Sequence, residues 1–248
     1  MRLVVAGATG RTGSEIVAEA AERGHDTVGV AREAATVEGV DVHPTADLPE
    51  LLADADALVD FTVPRASREH AELAAGGGVP HVVGTTGFDS GGIAALREAS
   101  ESTAVLKASN FARGVQALLT LVEAGVEALP DYDVELTETH HGGKRDAPSG
   151  TARTILSAVD EAREAELDRT HGREGEHRRA DSEVGVHVRR AGNVRGEHEL
   201  LLAGNDEVLT LSHRAESRRV FAAGAVDAAE WLAGREPGWY EFDDVLQG

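Results

Sequence analysis

The sequence predicts an α/β protein in two parts, a parallel α/β sheet followed by an α+β domain with a mixed, mostly antiparallel sheet. Over the first ~110 residues, short apolar runs alternate with helical patterns, as a parallel sheet with crossover helices requires. A glycine-rich turn at Gly7 follows the first apolar run directly. In the second part, apolar residues partly alternate with polar ones, and tight-turn signals separate the runs, which favours antiparallel pairing.

The strands of the first part are predicted from short apolar runs. These runs are Leu3–Ala6, Thr27–Val30, Ala57–Phe61, His81–Val83 and Ala104–Ala108. Helices are predicted between the runs, where apolar residues recur at helical spacing. The residues that mark the helical faces are Ile16, Val17, Ala20 and Ala21, then Leu73 and Ala74, then Ile93 and Leu96.

The second part contains strand-like runs around one long predicted helix. The runs are marked by Val134 and Leu136, by Val184, Val186 and Val188, by Leu200 and Leu202, and by Val208, Leu209 and Leu211. Turns are predicted at Gly192-Asn193 and at Gly204-Asn205-Asp206. The helix is predicted from Ser149 to Leu167, and the polar, aperiodic stretch from Arg169 to Glu183 is expected to form a mobile loop.

Composition limits the classes of protein to which the chain can belong. It has 248 residues, no cysteine and a formal net charge of -20, with its acidic residues dispersed along the chain. The lack of thiols excludes disulfides and thiolate metal sites, and the negative charge argues against nucleic acid as a partner. No apolar segment reaches the ~20 residues that span a membrane, so we expect no membrane association and a cytoplasmic location.

The charge balance also points to a salty environment. Of 24 Lys plus Arg residues only two, Lys107 and Lys144, are lysines, and 44 residues are Asp or Glu. This composition is typical of proteins from salt-loving archaea, because at ~1 M salt the Debye length falls to ~3 Å and repulsion between carboxylates is screened. We therefore expect a halophilic archaeal protein, with an ordinary acidic protein as the alternative.

The turn after the first strand is typical of a Rossmann dinucleotide-binding domain. Its residues are Gly7, Ala8, Thr9, Gly10, Arg11, Thr12 and Gly13. Gly7 permits a tight turn, Gly10 lets the backbone approach a pyrophosphate, and Gly13 allows the helix to pack closely on the strand. The spacing is G-x-x-G-x-x-G, not the commoner G-x-G-x-x-G, and a plain glycine turn before a helix is the alternative.

The residues after the second strand bear on the choice between NADH and NADPH. An acid at this place binds the ribose 2′-OH, whereas an arginine favours the 2′-phosphate. Arg32 and then Glu33 follow the strand, and Arg11 is expected nearby. The sequence thus predicts NADPH or NADH as cofactor, with a preference for NADPH, and a solvated Arg32 is the alternative. The loops Phe61–Pro64 and Gly84–Phe88 are also expected at the cofactor crevice.

The segment Thr139–Thr151 places proton donors beside a site for an anion. It contains His140, His141 and Lys144, followed by Ser149-Gly150-Thr151. A lysine can give up its proton in a protein, whereas an arginine does not. Ser149 is expected to cap a helix whose first amides, at Gly150 and Thr151, face a carboxylate. A basic turn after a strand is the alternative.

Several of these segments occur in the order and spacing of the dihydrodipicolinate reductase family, which the chain resembles over nearly its whole length. They are Gly7–Gly13, Asp60-Phe61-Thr62, Gly84–Phe88, Ala108–Phe111, His140–Thr151, Arg190–Gly192, Gly196–His198 and Phe221–Val226. The resemblance implies reduction of 4-hydroxy-tetrahydrodipicolinate by NAD(P)H, in lysine biosynthesis through diaminopimelate. It also implies a Rossmann domain, an α+β domain and a homotetramer.

The resemblance also implies a role for each matching residue. His140 is the general acid/base and Lys144 the proton donor, while His141, Gly150 and Thr151 bind the substrate, a small dicarboxylate. The cofactor is held by residues from three loops, which are Gly7, Ala8, Thr9, Gly10, Arg11 and Thr12, then Gly84, Thr85 and Thr86, and then Ala108, Ser109, Asn110 and Phe111. The chain departs from many relatives at Gly142-Gly143, Thr12 and Arg32.

These expectations define the domains. Residues 1–112 are predicted to form the dinucleotide-binding domain, and residues 113–218 the domain for substrate binding and oligomerisation. The C-terminal segment 219–248, with a helix from Phe221 to Ala233, is expected to pack back on the first domain.

Two other kinds of protein share part of this pattern. A redox-sensing regulator of the atypical short-chain dehydrogenase type also begins with Gly7-Ala8-Thr9-Gly10, but that class does not account for His140–Thr151. Aspartate or homoserine dehydrogenase would not require the His-His-x-x-Lys segment either. No metal is expected, because His171, His177, His187, His198 and His213 lack compact metal-ligand spacing.

Overall fold

The computed structural model describes residues 1–247, so Gly248, the last residue of the predicted C-terminal segment, lies outside the described residues. The strands are β1 (Arg2–Ala6), β2 (Asp26–Ala31), β3 (Ala35–Val37), β4 (Val40–Pro44), β5 (Ala57–Asp60), β6 (His81–Val83), β7 (Ala104–Lys107), β8 (Asp133–His140), β9 (Asp168–Thr170), β10 (Glu183–Arg190), β11 (Glu197–Gly204), β12 (Glu207–Arg214) and β13 (Gly238–Tyr240). The helices are α1 (Gly13–Glu22), α2 (Leu48–Leu52), α3 (Pro64–Gly77), α4 (Ser90–Ser100), α5 (Arg113–Ala128), α6 (Gly150–Arg163), α7 (Arg219–Leu232) and α8 (Phe242–Gln247).

The chain forms two compact units, and the first contains residues 1–112 and the chain from Arg218 onward. Its sheet has the order β13-β7-β6-β5-β1-β2-β4-β3. The pairings are parallel except that of β3 with β4, which confirms the predicted Rossmann-like sheet. Because β1 lies between β2 and β5, the strand order reverses there, and ligands of such sheets bind beyond the carboxyl ends of those strands.

Three strands of this sheet were not predicted from the sequence. Strand β3 is short and mostly exposed, β4 has a single buried residue, Val42, and β13 is only three residues long, so none of them carries a clear apolar run. The segment after Arg218 is not a single helix: α7 ends at Leu232 and is followed by β13 and α8. The apolar face of α7 belongs to the same core as β1 and α1.

The second unit, residues 113–217, is built on a mixed sheet, as predicted. Its strand order is β12-β11-β8-β10-β9. Strand β11 pairs antiparallel with β12 and β8, whereas β10 pairs parallel with β8 and β9. The antiparallel share is smaller than expected, because α6 lies between β8 and β10 in the chain, and a helical crossover joins parallel strands.

Local turn chemistry explains the ends of these elements. Asn205 and Asp206 both have positive φ, 49° and 59°, as the two-residue turn of the β11–β12 hairpin requires. Helix α6 ends at Arg163, four residues before the predicted Leu167, because Glu164 adopts the left-handed conformation. This confirms the predicted turn and corrects the predicted helix end.

The stretch predicted as a mobile loop, Arg169–Glu183, is structured at both ends. Strand β9 pairs with the start of β10 at these ends. Between them, Arg173 and Arg179 form ion pairs with Glu135 on β8. The loop prediction is therefore wrong for the ends, where strand pairing satisfies the backbone of a segment too polar to show a strand pattern. Among the described helices, none combines the length and apolar character needed to cross a membrane.

Gly224 on α7 packs so closely against the rest of the first unit that there is no room for a side chain. A Cβ there would lie 1.8 Å from the carbonyl oxygen of Phe111 and 2.9 Å from the Phe242 ring, whereas a Cβ at Gly76 on α3 would meet nothing within 4 Å. We expect Gly224→Ala to destabilise the protein by about 1–3 kcal/mol through overpacking. The matched Gly76→Ala should be neutral or stabilise by up to about 1 kcal/mol. Urea unfolding in molar KCl measures both, and equal stabilities would contradict the close packing.

Candidate active site

The glycine loop after β1 is shaped by close backbone contacts. Gly7 has a φ of +83°, and a Cβ there would lie 2.4 Å from the Phe61 carbonyl oxygen. A Cβ at Gly13 would lie 2.0 Å from the Gly7 carbonyl oxygen, so the start of α1 sits directly on the turn. Both positions therefore require glycine for the reasons expected of a dinucleotide-binding turn.

A cavity of about 250 Å³ lies at the carboxyl ends of β1, β5 and β6. Its lining is Gly10, Arg11, Thr12, Gly13, Phe61, Thr62, Gly84, Thr85 and Thr86. Three segments that were expected at the cofactor from the sequence therefore meet at one cavity. Gly84 is again required, because a Cβ there would lie 2.2 Å from the Phe61 ring.

A second cavity, of about 380 Å³, contains the predicted specificity residue. Its lining is Thr9, Ala31, Arg32, Glu33, Ala34 and Ala35. Arg32 is exposed and follows the last residue of β2. It thus lies where a residue that contacts the ribose of a dinucleotide is found in this kind of fold.

The predicted cofactor loop Ala108–Phe111 lies outside the described lining of both cavities. The Ala108 amide donates to the Val83 carbonyl 3.2 Å away, which continues the β6–β7 pairing. The Phe111 ring is buried between those of Phe61 and Phe242, with ring centroids 5.4 and 5.2 Å away. This packing anchors the end of the loop in the core, while Ser109 is exposed.

Behind the first cavity lies a fully buried carboxylate, that of Asp60 at the end of β5. Its Oδ1 accepts hydrogen bonds from the hydroxyls of Thr62 and Thr85, at 2.6 and 3.1 Å, and its Oδ2 lies 2.8 Å from Nδ1 of His70. Burial alone would raise the pKa of Asp60, but His70 and His81 hold it well below its usual range. Asp60 therefore fixes two threonines of the cavity wall, and neither buried histidine was identified from sequence.

In the second unit, the strand β8 places His140 at its carboxyl end. The residue is 8% exposed. A Cβ at Gly196 would lie 3.2 Å from Nε2 of His140, so glycine at 196 keeps this edge of the ring clear of side-chain atoms. His141 follows the strand and is half-buried. The end of β8 thus holds His140 with Nε2 beside Gly196 and with Nδ1 facing the buried Glu138.

Lys144 lies in the turn after β8 and is held by an ion pair. Its backbone amide donates to the His141 carbonyl, 3.1 Å away, and its Nζ lies 2.8 Å from Oδ1 of Asp146. Burial would raise the pKa of Asp146, but the hydrogen bond from Lys144 lowers it. Gly142 and Gly143 have ordinary φ values and no close Cβ contacts, so the backbone does not require glycine at either position.

The predicted anion site lies at the start of α6. Ser149 is the N-cap, as predicted, and its hydroxyl accepts from the Ala152 amide at 3.1 Å. Gly150 and Thr151 form the first two positions of the helix, where backbone N–H groups and the helix dipole favour a carboxylate. The local geometry therefore fits the role predicted for these two residues.

Glu138 joins the histidine to this helix, and the sequence analysis missed it. Its Oε2 lies 3.1 Å from Nδ1 of His140, and its Oε1 accepts from the Ser149 amide at 3.0 Å. Arg190 also donates to Oε1, at 2.9 Å. Burial would raise the pKa of Glu138, but these three contacts hold it well below its usual range. The sequence does contain a signal for Glu138. It lies two residues before His140, and residues two apart on a strand lie on the same face of the sheet.

His198 on β11 completes the cluster. Its Nε2 lies 3.2 Å from the Ser149 hydroxyl, and its ring lies edge-on to His140 with centroids 5.2 Å apart. Ligand atoms of Glu138, His140 and His198 lie within 4.8 Å of one another, a grouping that sequence spacing did not reveal. The Arg190 guanidinium is paired with the same carboxylate, and its positive charge disfavours the binding of a metal ion there. That the protein binds no metal stays a prediction.

Burial, together with the charge of His140, lowers the pKa of His198 from 6.5 to about 4. Between these two pH values the unfolded chain binds more protons than the folded protein, so stability falls as the pH falls through this window. The contribution is up to about 1.4 kcal/mol for each pH unit. We expect His198→Gln to lose stability less steeply than wild type between pH 6.5 and 4. Denaturant unfolding measures this, with the exposed His177→Gln as control, and equal slopes in all three proteins would contradict it.

Comparison with known proteins shows the same family over both units. Residues 1–111 match the family model described as "Dihydrodipicolinate reductase, N-terminus", and residues 114–246 match "Dihydrodipicolinate reductase, C-terminus". The chain is 76% identical to 4-hydroxy-tetrahydrodipicolinate reductase from the halophilic archaeon Natronomonas pharaonis, covering 99% of this chain and 100% of the relative. It is 53% identical to the reductase of the same name from Haloarcula marismortui, covering 99% and 98%.

The fold is also that of a solved member. Dipicolinate-bound dihydrodipicolinate reductase from Paenisporosarcina superposes with a TM-score of 0.78, at 22% identity and 97% coverage of both chains. At this identity the likeness shows the fold alone, whereas the two family models and the close relatives cover the sequence itself. The chain belongs to the dihydrodipicolinate reductase family.

Proposed function

We propose that this protein reduces 4-hydroxy-tetrahydrodipicolinate with NADPH or NADH, in the diaminopimelate route to lysine. The observation that carries the proposal is the placement of His140 and the start of α6 on opposite oxygens of Glu138, 3.1 and 3.0 Å away. A proton donor and a carboxylate-binding helix start are thereby held together, as reduction of an unsaturated cyclic dicarboxylate requires.

The residues of the second unit supply the proton and bind the substrate. His140 acts as general acid/base and Lys144 as proton donor, while His141, Gly150 and Thr151 hold a substrate carboxylate. The substrate loses its 4-hydroxyl group as water, which leaves a conjugated double bond in the ring. The bound cofactor would supply a hydride to one atom of that bond, and a proton must then be added to the other. Nearby imidazole and ammonium groups stabilise the negative charge that develops on the ring. Because Lys144 is paired with Asp146, a substrate carboxylate must compete with Asp146 for the ammonium.

The first unit binds the dinucleotide in this proposal. The glycine loop from Gly7 to Thr12 receives the pyrophosphate. The tight backbone packing at Gly7 and Gly13, where a Cβ has no room, supports this because it is typical of a dinucleotide-binding turn. Gly84–Thr86 and Ala108–Phe111 line the nicotinamide side, and Arg32 contacts the 2′-phosphate. We infer a preference for NADPH, supported by the position of Arg32 at the second cavity.

We further propose a cytoplasmic homotetramer that works at high salt and uses neither a metal nor nucleic acid. The family resemblance supports the tetramer. A net charge of -20 destabilises the compact folded state through repulsion between carboxylates, and high salt screens that repulsion. The alternative is a redox-sensing regulator that binds NADP without turnover. The ordered cluster of Glu138, His140 and Ser149 favours the enzyme, because cofactor binding alone has no use for it.

Oxidation of NADPH and NADH in molar KCl, with the substrate generated in situ by its synthase, tests the proposed activity. We expect turnover with both cofactors, and its loss by about 10²-fold or more in His140→Ala, since general acid catalysis contributes about that much. The exposed His177→Ala is the control. Tight cofactor binding by a folded protein with no oxidation would favour the regulator instead.

Lys144→Ala should reduce kcat by about 10²-fold or more while NADPH affinity stays within about twofold, because the role assigned to Lys144 is proton donation. Lys144→Arg keeps the positive charge but donates no proton, so its KM should stay near the wild-type value while kcat falls. Steady-state kinetics and fluorescence titration with NADPH measure these quantities. A large loss of NADPH affinity in Lys144→Ala would contradict the assignment.

Arg32→Asp should shift the ratio of kcat/KM for NADPH over NADH toward NADH by about tenfold or more. The reason is that a charged hydrogen bond to the 2′-phosphate is worth about 1.5–3 kcal/mol. Arg68→Asp, which changes an exposed arginine outside the described lining of both cavities, is the charge-matched control. An unchanged ratio in Arg32→Asp would mean that Arg32 is a solvated turn residue.

A further inference from the structure

Four groups from four segments of the chain converge on the carboxylate of Glu138. Oε2 lies 3.1 Å from Nδ1 of His140 and 3.8 Å from Nε2 of His198. Oε1 accepts from the Ser149 amide at 3.0 Å and from Arg190 at 2.9 Å. The Glu138 side chain has no exposed surface, so water cannot replace any of these contacts.

The two oxygens serve different parts of the candidate active site. Oε2 faces the proton donor, His140, which lies on the same strand. Oε1 holds the N-cap residue of α6 and, through Arg190, the loop after β8, because Arg190 also donates to the Asp146 carbonyl at 2.6 Å. One carboxylate therefore connects the imidazole, the helix start and the loop that carries Lys144.

The contact with His140 is mainly electrostatic. The two atoms are close, but the ring N–H does not point along the line to the oxygen, so they do not form an aligned hydrogen bond. An anion at this distance attracts the ring edge that carries Nδ1. It also orients the ring, so that Nδ1 faces Glu138 and Nε2 faces the space beside Gly196.

We propose that Glu138 is a positioning residue, whose Oε2 holds the His140 imidazole and whose Oε1 holds the first turn of α6, so that the proton donor and the substrate-carboxylate site keep a fixed separation. This inference rests on the proposed role of His140 as general acid. Glu138 itself does not contact the substrate in this scheme, and it acts through His140 and Ser149.

The charged neighbours determine what removing Glu138 does to His140. Arg190 reaches the carboxylate from β10 and His198 from β11, while Lys144 and His213 act electrostatically on His198. His198 is neutral at pH 7, because its pKa is about 4. Glu138 is thus the anion that offsets Arg190 beside the ring, whereas Lys144 is paired with Asp146.

The test compares Glu138→Gln and Glu138→Asp with wild type. Glutamine keeps an oxygen for the Ser149 amide but removes the charge, and aspartate keeps the charge one methylene further back. For Glu138→Gln we expect kcat to fall about 10²-fold, within the range found when the carboxylate partner of a functional histidine is removed. The alkaline fall of the pH–kcat profile should move to lower pH, because removal of an anion beside a general acid disfavours its protonated form, while KM changes less. Glu138→Asp should keep the profile near the wild-type position.

An NMR titration of the full-length protein, labelled at histidine Cε1, gives a readout that does not depend on turnover. His140→Asn identifies the His140 signal, and we expect its midpoint to fall in Glu138→Gln, because a neighbouring anion has been removed. Glu135→Gln is the matched control, since it removes an ionised carboxylate from the opposite face of the same strand. This control should leave the His140 midpoint and the pH profile in place.

The outcomes separate this inference from the proposed function. If His140→Ala is inactive but Glu138→Gln shows the wild-type pH profile and His140 midpoint, Glu138 is not the positioning residue, whatever its effect on stability. If Glu138→Gln does not fold, Glu138→Asp with an altered kcat/KM and a wild-type midpoint supports the role, and unchanged kinetics overturn it. If His140→Ala remains active, the role proposed for His140 fails, and the positioning inference fails with it.

Discussion

Buried carboxylates that must remain ionised hold the candidate site residues in place. A charge without contact to water is costly unless it is paired and hydrogen-bonded, so the groups around it have little freedom. In the first unit, hydrogen bonds to Asp60 fix the side chains of Thr62 and Thr85, and such a constraint holds the candidate residues in place. Glu138 imposes the same constraint in the second unit on His140 and Ser149. Each carboxylate lies at or near the carboxyl end of a strand, where a loop with chemical function begins.

The whole chain is strongly negative, whereas the candidate site contains a local group of cations. The chain as a whole carries -20, which suits a highly salted solution. The proposed dicarboxylate substrate requires the opposite sign, and the candidate site contains the cations Lys144 and Arg190, which are paired with Asp146 and Glu138. The two carboxylates keep these cations close together, because without them the positive groups would repel one another.

Much of the architecture could be predicted from the sequence, since it depends on local chemistry. The apolar periodicity predicted the parallel sheet, Ser149 predicted the start of α6, and Asn205-Asp206 predicted the hairpin turn. The glycines at 7 and 13 predicted a loop in which a Cβ has no room. In each case the information lies within a few residues of the feature, because dihedral preferences and capping act over that range.

What the sequence by itself determined is the family, the two-part organisation and the segments that carry the site, His140–Thr151 and Gly7–Gly13. The tertiary structure decided which groups control them. Ser149 and Glu138 are 11 residues apart, His198 and Ser149 are 49 apart, and β13 pairs with a strand more than a hundred residues earlier. No local pattern marks His70, and it is the packing of α3 that places this residue on Asp60. Such partners cannot be found from local patterns, because their contacts exist only once separate elements pack and exclude water around a shared charge.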